Sequence, residues 1–237
     1  GHQAVRIVPY KFNPENPFME LSFYYKLGGK NYLAPCGFGK PDPILEFVET
    51  LRSSGVQTER ELARKLEAKS RTYAPVVVRG EEEQGVKFWG FGVTVYKQLL
   101  RLMTDPEWGD IASLTDGNDV KIEFKKTSGK KSKDGQSFPE TIISLSPRKT
   151  PAVDPANKEL TQKIKDQIDI ITIWNLPSYE ELKDALDRHL NPELNMGSPS
   201  NDGDEGDETS SQFQSKSQAA GSPDLGQAFA DFFDKKD

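Results

Sequence analysis

The chain has 237 residues, a formal net charge of −6, 35% hydrophobic residues and a mean hydropathy of −0.67. That length holds one domain with a substantial core, and so polar a composition implies that part of the chain buries nothing. No apolar run reaches bilayer length and no charged-then-apolar leader opens the chain, so no membrane partner is expected. The single cysteine, Cys36, excludes an intrachain disulfide and points to a reducing compartment. The start at Gly1 without Met, almost directly before the strand-like run Ala4–Val8, is read as a missing natural N-terminus.

Charge is divided unevenly along the chain. Residues 1–153 hold 23 Lys+Arg against 19 Asp+Glu, and residues 154–190 hold 5 against 8. Residues 191–237 hold 3 against 10, so the acid sits at the end. An acidic total therefore does not exclude an anionic ligand for the first 153 residues.

In chain order, Ala4–Pro9 and the aromatic-rich Leu21–Leu27 read as strands, with Gly28-Gly29 turning the chain back to Tyr32-Leu33. Pro41–Arg52 has helical spacing, with Ile44, Leu45, Phe47, Val48 and Leu51 on one stripe. Thr58 and Glu61 read as a capping box opening a second helix through Leu62 and Leu66. Strands are expected at Arg71–Arg79 and Val86–Gly92. A helix then carries Val93, Tyr96, Leu99, Leu100 and Met103 on one side. After the turn 115–118, Val120, Ile122 and Phe124 alternate with Lys121, Glu123 and Lys125, the period of a half-buried strand. A polar Lys/Ser/Gly loop leads to a strand at Glu140–Leu145.

Leu160, Ile164, Ile168 and Ile171 suggest a helix, and Ser178 with Glu181 caps a last one ending near Leu190. Residues 191–222 offer almost nothing to bury and read as a disordered tether. The expected fold is mainly β with α insertions: a five-stranded OB-type barrel over 1–153 with a helical insert at about 37–70. A helical part at 154–190 and an acidic tail at 191–237 follow.

Single-strand nucleic-acid binding without sequence choice needs cations that track phosphates and aromatic faces on which bases stack. Arg71, Tyr73 and Arg79 share parity in one strand, as do Lys87 and Trp89 in the next, and Tyr96 follows. Lys121 and Lys125 extend the basic surface, and the loop adds Lys126, Lys130, Lys131 and Lys133. A strand aromatic is more often a packing residue, and a lysine-rich loop more often merely solvated. The interleaving of basic and aromatic residues on one parity in both strands favours the DNA reading. In the tail, Phe229, Phe232 and Phe233 form one helical stripe between aspartates, a short recognition element for a partner groove.

Six stretches carry a resemblance: 2–9, 30–36, 69–79, 87–92, 116–129 and 178–182. By their order and spacing over residues 2–190 the chain resembles the single-stranded-DNA-binding, helix-destabilising proteins of T-even-type bacteriophages. The resemblance implies an OB-fold with an aromatic and basic cleft. Tyr73 and Trp89 match aromatic positions of that cleft, Tyr96 matches a tryptophan, and Lys69 and Arg71 match a basic pair. It also implies a tail that competes for the cleft and recruits replication and recombination proteins, and work in the cytoplasm of the infected host.

Three departures are visible. The family's structural zinc needs one His and three Cys, whereas the insert keeps only Cys36, so no zinc cofactor is expected. The basic N-terminal arm that drives self-association along DNA has no counterpart in this chain. Aromatics in the loop after Gly129 are replaced by Lys130 and Lys133.

Rival classes are a metal-dependent nuclease, from Asp116 or Asp119 followed by Glu123-Phe124-Lys125, and a protein-binding replication or virion scaffold. RNA binding is a third, since the same stacking chemistry serves either polymer. No nucleophilic triad or phosphate-cradling glycine pattern supports catalysis, so a non-enzymatic role is expected.

Overall fold

The computed structural model describes residues 2–125 and 140–191. The chain divides into two compact units. The first contains Gly1–Phe23 and Ser70–Asn175, and the second Tyr24–Lys69 and Leu176 onward. The lysines of the expected basic loop (Lys126, Lys130, Lys131, Lys133) and the tail phenylalanines Phe229, Phe232 and Phe233 lie outside the described residues.

The first unit is an antiparallel sheet backed by helices. Its strands are β1 (His2–Ile7), the first half of β2 (Met19–Leu27), most of β4 (Lys69–Val78), β5 (Lys87–Phe91), β6 (Gly117–Lys125) and β7 (Glu140–Thr150). The order is β2-β4-β1-β6-β7, with β5 on the other edge of β4, where Val76 faces both Ile7 and Lys87. The sheet is open: no pairing among the described residues closes the expected five-stranded barrel.

One face of the sheet packs against α3 (Val93–Met103). Val5, Ile7, Ala74, Val76, Phe91, Val120, Ile143 and Leu145 meet Val95 and Leu99 there. Gln98 of α3 donates to the Thr141 carbonyl (3.2 Å) and accepts from Ile143 N–H (3.1 Å), so the helix satisfies backbone groups along β7.

On the opposite face Val8 and Val77 are covered by Ala152, Val153 and Ile164, the last from α4 (Lys158–Lys165). Here Arg6, wholly buried, and Arg79 converge on one oxygen of Asp119, with N–O distances of 2.7–3.1 Å. Arg6 also donates to the Thr150 carbonyl (2.6 Å), and Arg79 to those of Pro151 and Ala152 (2.9 and 2.7 Å). Burial lowers the Arg6 pKa and the Asp119 charge opposes that shift. Asp119 sits at a register shift between β6 and β7: Asn118 faces Lys149 and Val120 faces Leu145, so the extra residues lie in β7. Gly117 at the start of β6 has the Ile111 and Ser113 carbonyls 2.6 and 2.7 Å from where a Cβ would stand, so only glycine fits.

The expected helix through Leu160–Ile171 is broken. α4 ends at Lys165 and α5 spans only Ile170–Ile173, with Asp169 as its cap and Ile168 exposed. The intervening residues instead meet the β1 end: Gln167 accepts from Lys11 N–H (3.1 Å) and donates to the Pro9 carbonyl (2.8 Å). Those tertiary bonds outweigh one helical turn.

The second unit holds the end of β2, β3 (Lys30–Leu33), α1 (Pro43–Ser53), α2 (Gln57–Leu66) and α6 (Tyr179–Leu190). Ile44, Phe47, Val48, Leu51, Leu66, Leu182 and Leu186 fill its core. Buried Asp42 organises it. One carboxylate oxygen caps α1 by accepting from Ile44 and Leu45 N–H (3.1 and 3.2 Å), and the other accepts from Tyr24 Oη (2.9 Å). The Ser178 cap of α6 forms, accepting from Glu181 N–H (3.2 Å). The Thr58–Glu61 capping box does not, because α2 begins two residues earlier from Val56, which has no capping side chain.

Candidate nucleic-acid interface

Parity within each strand is as the sequence suggests, but the ladder between β4 and β5 separates the two sets. Tyr73 lies opposite Gly90, and Trp89 lies opposite Ala74. Directly opposed residues share a face. Tyr73 and Trp89 therefore look to opposite sides of the sheet, which corrects the expectation that the two strands present one interleaved surface.

On the first side Tyr73 is half-buried and lies across Gly90. A Cβ at position 90 would stand 2.6 Å from Tyr73 Cε1 and 3.2 Å from Arg71 Nε, so the bare backbone of Gly90 is the bed on which both side chains rest. Arg71 donates from Nη2 to the Gly90 carbonyl (3.2 Å). The Tyr73 ring is propped by Phe23 and Trp174, with centroids at 6.1 and 6.4 Å, and those two rings meet edge to face at 5.0 Å. One step along the strand, Phe88 pairs with Pro75 on the same side and contacts Tyr10 at 5.9 Å. The sequence reading missed Phe23, Trp174, Phe88, Tyr10 and Phe12. Phe88 was legible as the opposite parity to Trp89; the others meet this face only through tertiary contacts.

On the second side Trp89 packs on Phe91 (4.6 Å) and Tyr96 on Phe18 (5.4 Å), all part of the core against α3. Both Trp89 and Tyr96 keep partial exposure. Lys87 shares this side and pairs with Glu81 (2.7 Å).

The remaining cations are dispersed. Lys69 is exposed at the start of β4, in the second unit. Arg79 is committed to Asp119, with Glu82 3.8 Å away. Lys121 is exposed on β6, and Lys125 pairs loosely with Glu123 at 3.7 Å. Of the acids in the nuclease alternative, Asp119 accepts from both guanidinium groups through one oxygen.

Cys36 is the single cysteine of the chain, and neither histidine, His2 nor His189, lies between it and β4. Cys36 sits in a 3-10 turn beside Asp42 and Tyr24, where burial first and the Asp42 charge second push its thiol pKa up. Among the described residues no cluster of three His, Cys, Asp or Glu side chains could hold a metal. Nor is any described helix long and apolar enough to cross a membrane.

No curated protein matches the chain. A family model described as gp32 DNA binding protein like matches residues 1–190, which spans both units and stops where the acidic tail begins. By that match, the chain belongs to the gp32 DNA-binding-protein-like family.

Proposed function

We propose that this protein binds single-stranded DNA without sequence preference, stacking bases on the Tyr73 side of β4 and β5 while Arg71 meets the phosphates. The observation that carries the reading is the Tyr73 ring lying over Gly90, partly open to solvent and flanked by the rings of Phe23 and Trp174. A preset ring takes a base at little ordering cost, and each such stack is worth about 1–3 kcal/mol irrespective of base identity. The family's DNA-binding description supports the ligand class.

The wider role follows from this reading and from the sequence. We read the open antiparallel sheet as a variant of the OB type, and the protein as a non-enzymatic, zinc-free component of bacteriophage DNA replication, recombination and repair in the host cytoplasm. Residues 191–237, with 10 acidic against 3 basic residues and three phenylalanines near the end, recruit partner proteins and compete with DNA for the basic face. Self-association along DNA belongs to the same reading.

The test is an oligo(dT) titration followed by tryptophan fluorescence at two salt concentrations, with duplex DNA and oligo(rU) as comparators. Quenching by oligo(dT) that weakens steeply with salt is expected. Trp174→Phe, which removes the reporter beside Tyr73, should abolish most of the quench, and Trp89→Phe should leave it. The reverse pattern would move the strand to the α3 side, and no quench from any single strand at low salt would end the DNA reading.

A further inference from the structure

Beyond Phe88 the aromatic row continues into the loop after β1. Tyr10 is buried, with its hydroxyl donating to Asp169 (3.0 Å) and accepting from Ile170 N–H (3.1 Å). Its backbone carbonyl accepts from Asn13 N–H (3.1 Å), closing a tight turn, and Gln167 bonds both Pro9 and Lys11. Phe12 stands at the tip of that pinned turn, its ring 5.5 Å from Tyr10, and is 50% exposed. A large exposed ring on a turn held by these hydrogen bonds is available for a ligand. Lys11 places its ammonium 5.8 Å from the Phe12 centroid.

Behind the turn lies a pocket of about 300 Å³, lined by Pro9, Tyr10, Pro14, Leu114 and Ile164, with Lys11 and Lys165 also in its wall. The Tyr10 hydroxyl and the Gln167 amide are already satisfied within the protein. The cavity therefore offers chiefly apolar surface and positive charge. That chemistry suits a flat ring attached to an anion and does not discriminate among bases.

We infer that Phe12 and this pocket form a second nucleotide subsite, in which a base packs against the Phe12–Tyr10 turn while its phosphates meet Lys11 and Lys165. The inference rests on the proposed single-strand reading and extends it: the strand runs from Tyr73 past Phe88 to the loop after β1. Continuity decides for nucleic acid over a peptide, because the rings from Tyr73 through Phe88 and Tyr10 to Phe12 lie along one side of the sheet.

The experiment titrates the full chain and its Phe12→Ala, Phe12→Trp and Tyr73→Ala variants with oligo(dT) of increasing length. With Phe12→Ala, affinity for long oligomers should fall about tenfold while the shortest bound oligomer keeps its affinity, as expected for loss of one outlying stack. Phe12→Trp should bind as the parent does and its added fluorescence should quench on long oligomers only. Unchanged affinity of Phe12→Ala at every length, with Tyr73→Ala weakened, would overturn this subsite and leave the Tyr73 reading intact. If both alanine variants bind like the parent, the Tyr73 reading fails and this inference with it. Thermal melting of each variant confirms that the fold is retained, as an exposed position allows.

Discussion

Gly90→Ala tests the stacking surface without removing any group that DNA would touch. The added methyl stands 2.6 Å from Tyr73 Cε1 and 3.1 Å from Cδ1, whereas carbon contacts sit at about 3.5–4.0 Å. The ring must shift by about 1 Å, among neighbours that include the rings of Phe23 and Trp174. Overpacking of this kind costs about 1–3 kcal/mol of stability. A tilted ring also loses its stacked base, so oligo(dT) binding should weaken at least about fivefold, the lower bound of one stack. Gly37→Ala is the control, since a Cβ there meets nothing within 4 Å and the position has no left-handed backbone, so both quantities should stay unchanged. The assay is anisotropy of labelled oligo(dT) at low salt, with urea unfolding of the same preparations. If Gly90→Ala is destabilised yet binds with the parent's affinity, the Tyr73 ring was displaced without consequence and is no base contact.

Three further outcomes follow from the same geometry. Asp119→Ala leaves the buried Arg6 guanidinium without its counter-charge and should cost about 3–5 kcal/mol, read as a lower urea midpoint; a loss under 1 kcal/mol would mean the carbonyl contacts suffice. Asp42→Ala removes the α1 cap and orphans the Tyr24 hydroxyl, together about 2–4 kcal/mol. Adding Tyr24→Phe to that variant should recover part of the loss, and no recovery would remove the hydroxyl from the explanation. Burial raises the pKa of Tyr10 and Tyr179 to about 12 from the ordinary 10, so their folded-state contribution is complete below pH 10 and is lost as pH climbs to 12. Urea midpoints should therefore fall from pH 9.5 to 11.5, and less steeply in Tyr10→Phe; equal slopes would show that this phenol does not contribute.

Local pattern carried the elements. The alternation at Val120, Ile122 and Phe124, the apolar stripe of α1 and the Ser178 cap all lie within one or two turns of chain, where side-chain period and capping chemistry act directly. The single cysteine, Cys36, is a property of composition, readable without the fold. The charge split and the phenylalanines at the end are likewise properties of order along the chain.

Register is not such a property. Each strand's parity says which residues share a face within that strand, but a shift of one residue between β4 and β5 exchanges faces, and the sequence does not encode that offset locally. Only the ladder shows Tyr73 over Gly90 with Trp89 turned toward α3. Arg79 shares parity with Tyr73, yet its role was decided by Asp119, 40 residues away, at the register shift between β6 and β7. Trp174 and Phe12 reach the Tyr73 side from opposite ends of the first unit. Residue types and local period thus pointed to the ligand class and set most elements, while which side chains share a face was decided by long-range pairing, where burial and hydrogen bonding are satisfied jointly.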